Sequence, residues 1–80
     1  MAYHKANISK GTLGHYSKIQ EEMDELKDAI YQGNVVMAIL ECSDIIGAIE
    51  AYVSNFNLTL SDLITMKNAT KSAFEDGTRK

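Results

Sequence analysis

The 80-residue chain has no proline and no tryptophan, a single cysteine (Cys42), and only two phenylalanines and four tyrosines. One cysteine excludes an intrachain disulfide framework, so a chain this short must draw its stability from packing or association. Without proline, only its five glycines and its Asn/Ser/Thr clusters punctuate it, which leaves room for long helices. Eight Lys and Arg stand against eleven Asp and Glu, a formal charge of −3, and no run of basic residues forms the footprint that duplex binding needs. Nucleic acid is therefore not an expected partner. The opening MAYHKANISKG lacks the apolar run of a secretory signal, so the expected compartment is the cytoplasm. The most apolar stretch, residues 35–54, is interrupted by Glu41, Asp44 and Glu50 and has no basic flanks, which argues against a membrane span.

What is present suits one aliphatic, all-α domain. Apolar residues make up 45% of the chain, enough for a packed core. Yet 80 residues bury a smaller share of their surface than a longer chain does, so a lone monomer would be marginal. The expected layout is a single domain over residues 1–80, with residues 1–11 a loose lead and 78–80 a loose tail. Tyr16, Ile19, Met23, Leu26 and Ile30 recur at steps of three and four, which predicts an amphipathic helix over residues 12–32. Gly33 suits a left-handed position closing that helix, and Asn34 an N-cap opening the next. The second helix, residues 35–54, is apolar almost all round and should be buried on several sides. Thr59 and Asp62 resemble a capping box at the start of a third helix over residues 60–75. A helical hairpin plus a third helix, assembled into an oligomeric bundle, is the expected architecture.

The acids carry the chemistry. Glu22 lies on the shoulder of the first apolar stripe, and Glu25 sits one turn along beside it. Glu41 and Asp44 interrupt an otherwise apolar helix, where an unpaired carboxylate would cost several kcal/mol of desolvation. Each pair has i,i+3 spacing, which sets Cβ atoms about 5–6 Å apart. At a rise of about 1.5 Å per residue the hairpin brings the two pairs to similar heights. A four-carboxylate cluster favours Mg²⁺, with Mn²⁺ as the alternative, over zinc, which would want His or Cys. His4 and His15 are not spaced as a zinc pair and are expected on the surface. On the third helix Leu60, Ile64, Lys67, Lys71 and Phe74 share one face, which turns the lysines inward, where they either pair with acids or hold phosphates.

The run Ile19-Gln20-Glu21-Glu22-Met23-Asp24-Glu25-Leu26, followed after fourteen residues by Glu41-Cys42-Ser43-Asp44, resembles the EExxE…ExxD signature of the MazG-like, all-α nucleotide pyrophosphohydrolases. The likeness extends through Asp28, Ala29, Ile30 and the Gly33-Asn34 break to Lys67, Asn68 and Lys71. It implies that Glu22, Glu25, Glu41 and Asp44 hold magnesium and that Glu21 orients or deprotonates the attacking water. Lys67, Asn68 and Lys71 would then touch the phosphates of a nucleoside triphosphate substrate, across a subunit boundary in a homodimer or homotetramer. The implied reaction yields a nucleoside monophosphate and pyrophosphate. Cys42 and Ser43 are expected to serve in packing, and Tyr16, His15, Phe74 and Tyr52 are the few rings able to stack on a base. Two alternatives stand beside this one: a related enzyme such as a phosphoribosyl-ATP pyrophosphohydrolase or a dimeric dUTPase-like protein, and a non-catalytic helical interaction protein whose acids pair with Lys67 and Lys71.

Overall fold

The computed structural model describes His4 and residues 6–75, with side chains through Lys71. The side chain of Phe74 and the tail at 78–80 lie outside the described residues. Three α-helices follow in order: α1 (Tyr16–Tyr31), α2 (Val35–Val53) and α3 (Leu60–Glu75), with a single 3₁₀ turn (Ser54–Phe56) after α2. There are no strands among the described residues. No described helix is long and apolar enough to cross a membrane.

α1 begins four residues later than the periodicity suggests. Thr12 and His15 close a turn through a 3.0 Å bond from the His15 N–H to the Thr12 carbonyl. His15, with extended backbone, then caps the helix by accepting from the Ser17 N–H. Its last turn is closed in the expected way. Gly33 adopts φ +68°, a conformation that costs glycine little, and donates to the Ile30 carbonyl while Asn34 donates to the Ala29 carbonyl. Asn34 then turns its side chain onto the Met37 N–H at 3.0 Å, opening α2. One residue thus ends one helix and starts the next, which sets the angle of the hairpin. At the far end of the hairpin the Asn55 side chain donates to the Gly14 carbonyl at 2.6 Å, tying the turn before α1 to the turn after α2.

α3 starts as its capping box dictates. The Thr59 N–H donates to Asp62, and the Asp62 N–H donates to the Thr59 hydroxyl. From there α3 touches α2 and, among the described residues, makes no packing contact with α1. The radius of gyration, 14.6 Å, exceeds the roughly 12 Å of a compact domain of this length, as an arm held away from a hairpin requires.

Inside the hairpin the polarity is unusual. Among the described residues only Ala29, Met37 and Ala48 are buried apolar residues, whereas Glu21, Glu22, Asp28 and Glu41 are buried acids. Three of the five residues of the expected apolar stripe of α1, Tyr16, Met23 and Ile30, are exposed. The reason lies in α1's cross-section: the Glu22–Glu25–Ala29 side, about a third of a turn from the centre of that stripe, is the one laid against α2. On α2 the expected burial on several sides is not met within one chain, since Val35, Val36, Ile39, Leu40 and Ile46 are exposed, Val36 at 80%.

Replacing Asn34 with alanine removes the cap of α2 and should lower stability by about 1 kcal/mol. Urea denaturation of wild type and Asn34→Ala at one fixed protein concentration measures this, with Asn34→Ser expected to stay close to wild type.

Candidate metal centre

The buried acids form one continuous cluster, built from two helices and the lead. α1 presents Glu21, Glu22, Glu25 and Asp28 on successive turns, and α2 presents Glu41 and, at an exposed rim, Asp44. Carboxylate oxygens of Glu22, Glu41 and Asp44 lie within 4.8 Å of one another, as do those of Glu21, Glu22 and Glu25. The four residues expected to hold a metal are therefore brought to one place. Asp44 is the departure within that set: it is exposed, whereas Glu41 is only 4% exposed.

Glu21, whose angle on the helix suggests an outward position, is buried because the lead folds over it. The Gly11 N–H donates to Glu21 Oε1 at 2.8 Å, and Lys18 Nζ lies 3.1 Å from the same oxygen. Gly11 packs so tightly on the first turn of α1 that a Cβ there would sit 2.2 Å from the Ser17 carbonyl oxygen. The lead, expected to be loose, is tied to α1 at His4, Lys10 and Gly11. His4 departs from its expected surface position in the same way. Its Nδ1 lies 3.0 Å from Asp28 Oδ2, and its Nε2 lies 3.6 Å from Glu41 Oε1 and 3.9 Å from Glu25 Oε2. His15 is exposed, as expected.

Electrostatics divides the acids into two groups. The backbone N–H of Gly11 holds the Glu21 carboxyl below its ordinary value, and Lys18 and Lys10 assist against the effect of burial. Burial pushes Glu22 and Glu25 upward, and each is raised further by a neighbouring carboxylate, Glu25 for Glu22 and Glu41 for Glu25. Lys18 bridges the groups at 3.1 Å from both Glu21 and Glu22. Burial lowers its pKa, but hydrogen bonds to the two glutamates outweigh that and raise it, so its ammonium stays charged.

Two oxygens, Glu22 Oε2 and Glu41 Oε2, are buried and meet no hydrogen-bond donor. One oxygen of Glu22 and one of Glu25 lie within 4.8 Å of each other, as do one of Glu25 and one of Glu41. Ionised carboxylates that close repel each other, and a proton or a cation between them relieves the repulsion. Acceptor-only oxygens from several carboxylates form the donor set of a hard divalent ion, so the residues fit magnesium or manganese.

The third helix does not reach this cluster within one chain. Lys67, Asn68 and Lys71 are exposed rather than turned inward, and Lys67 Nζ donates to Asn68 Oδ1 at 2.9 Å while its stem lines an apolar groove with Ile46, Ile49 and Leu63. Cys42 and Ser43 are exposed too. Sequence reasoning left Lys18 and His4 out of the site and noted Asp28 without giving it a role. Lys18 and Asp28 continue the i,i+3 and i,i+4 ladder of Glu21, Glu22 and Glu25, so their places were legible. His4 joins from 24 residues away and had no local signal. No protein-family model, curated protein or solved structure matches this chain.

In metal-free protein the two groups respond to pH with opposite signs. The raised pKa values of Glu22 and Glu25 give stability that is present below the ordinary 4.5 and lost as pH rises through their elevated folded values. The depressed pKa of Glu21 gives stability present above 4.5 and lost as pH falls through its lowered folded value. Thermal melts in EDTA at pH 7.5 should therefore show Glu22→Gln melting above wild type, with the gap closing as pH falls toward 4.5. Glu21→Gln should melt below wild type at pH 7.5.

Proposed function

We propose that this protein is a divalent-metal-dependent nucleoside triphosphate pyrophosphohydrolase that acts as a homo-oligomer. The observation that carries this reading is the pair of donorless buried oxygens, Glu22 Oε2 and Glu41 Oε2, inside a cluster drawn from two helices. The EExxE…ExxD spacing, which resembles that of MazG-like pyrophosphohydrolases, supports it from the sequence.

Glu22, Glu25, Glu41 and Asp44 would hold magnesium, or manganese, which when bound supplies an activated water and neutralises charge on the transferring phosphoryl group. The chain's own residues do the rest. Glu21, kept ionised by Gly11 and Lys18, suits an acceptor that orients a water rather than one that takes up its proton, since a general base works best with a pKa near the operating pH. Water attacks the α-phosphorus, the bond from that phosphorus to the β-phosphate's bridging oxygen breaks, and the monophosphate and pyrophosphate leave. Lys67, Asn68 and Lys71 would bind the phosphates as charge and hydrogen-bond donors.

Lys67 and Asn68 are exposed on α3, which makes no contact with α1 among the described residues, and this supports a shared site in which one subunit's α3 serves the cluster of the next. The apolar surface argues in the same direction. Val35, Val36, Ile39, Leu40 and Ile30 are exposed, while among the described residues only Ala29, Met37 and Ala48 are buried apolar side chains, and so thin a core favours association. Whatever covers that face must be present whenever the chain is folded, a condition met by a second copy of the chain. A dimer or a pair of dimers in the cytoplasm is the assembly proposed.

Purified protein incubated with a panel of standard and modified NTPs and dNTPs, with Mg²⁺ or with EDTA, should release monophosphate and pyrophosphate only with the metal. Glu41→Gln and Asp44→Asn should abolish that turnover while leaving the fold intact or more stable, because each removes negative charge from the cluster. Wild-type activity in either variant would contradict the ligand assignment, and no turnover with any nucleotide would favour a non-catalytic interaction protein. Sedimentation at micromolar concentration should give a dimer or tetramer; a stable folded monomer would overturn the shared site.

A further inference from the structure

We infer that His4, reaching in from the lead, is a nitrogen ligand of this metal site and tilts its choice of ion from Mg²⁺ toward Mn²⁺. The inference rests on the metal-site reading above and adds to it a residue of a different chemical class from a part of the chain outside the helices.

The imidazole is held by one edge and offers the other. Nδ1 lies 3.0 Å from Asp28 Oδ2, an oxygen that also accepts from Gln32 Nε2 at 2.8 Å. An ionised carboxylate can only accept, so the proton of that bond belongs to Nδ1, and in the neutral ring Nε2 is left with its lone pair. Nε2 points at Glu41 Oε1, 3.6 Å away, and at Glu25 Oε2, 3.9 Å away. Both separations are long for a hydrogen bond. They match ligands of a common ion instead, since atoms about 2.1 Å from one metal lie roughly 3–4 Å from each other. Single ligand atoms of His4, Glu25 and Glu41 all fall within 4.8 Å of one another.

A second observation, independent of the acids' number, points to a cation here. Glu41, with its side chain 6% exposed, carries the donorless Oε2, and the ring of His4 is itself only 16% exposed. The arrangement Asp28–His4–ion is the carboxylate–histidine–metal relay in which an outer carboxylate fixes the tautomer and orientation of the ligand. An all-oxygen site suits magnesium, whereas an imidazole suits transition metals and raises their affinity more than it raises that of magnesium.

The test uses full-length protein stripped with EDTA and titrated calorimetrically with Mn²⁺ alone and with Mg²⁺ alone, for wild type, His4→Ala and His4→Asn. The asparagine amide can keep the bond to Asp28 but has no counterpart of Nε2, so it separates a ligand from a group that only positions the lead. Wild type should bind Mn²⁺ at least about tenfold more tightly than Mg²⁺. Both variants should lose about 10- to 100-fold in Mn²⁺ affinity and change little toward Mg²⁺. Pulsed electron paramagnetic resonance of the Mn²⁺ complex should show a nitrogen coupling in wild type that both variants lack. Unchanged or tighter Mn²⁺ binding in His4→Ala, or no nitrogen coupling in wild type, overturns the role of His4 while leaving the acidic site standing. Failure of wild type to bind either ion overturns both.

Discussion

Mutual repulsion among carboxylates withdrawn from water is the constraint on which this fold is arranged. Oxygens of Glu22 and Glu25, and of Glu25 and Glu41, come within 4.8 Å of each other between α1 and α2, where a packed core would ordinarily sit. Each uncompensated charge in such a place costs several kcal/mol. The surrounding structure supplies countercharge where it can, with Lys18 across Glu21 and Glu22, and the Gly11 N–H on Glu21. His4 lies beside Asp28, Glu25 and Glu41. These partners leave Glu22 Oε2 and Glu41 Oε2 without a donor. A divalent cation is the group whose chemistry fits that remainder.

The location of the apolar surface follows from the same constraint. A helix has one circumference, and α1 commits the side facing α2 to acids, so part of its aliphatic stripe is turned out. α2, apolar nearly all round, has Glu41 on its buried side and carries Val35, Val36 and Ile39 outward. Among the described residues α3 packs on α2 and not on α1, so Lys67 stands exposed on the arm while the buried acids lie in the hairpin. The proposed assembly answers both features at once, by covering the aliphatic faces and bringing a lysine-bearing α3 to another subunit's acids.

Much of this was legible in the residues. Helix starts and stops are local events: Gly33 and Asn34 mark the hairpin turn, and Thr59 with Asp62 marks the start of α3, because each acts through hydrogen bonds a few residues long. The spacing of Glu22 with Glu25 and of Glu41 with Asp44 is local too, and it placed all four on facing turns. The burial of Glu21 and the position of His4 were not legible in this way. Both depend on an extended lead folding back onto α1, through Gly11 to Glu21 and through His4 to Asp28, contacts that span 10 and 24 residues and have no periodicity to announce them.

By itself, then, the sequence determined the helical class, the three helices with the caps of α2 and α3, and the two acid pairs that a hairpin must bring level, because those features rest on 3.6-residue periodicity and short-range hydrogen bonding. Tertiary structure alone decided which side of α1 meets α2, and with it which acids are buried and which aliphatic residues face outward. It also decided that the lead closes over the cluster and that α3 stands clear of α1. These are contests between burying charge and burying hydrocarbon on the same helix surface, and their outcome depends on contacts between segments that no local pattern encodes.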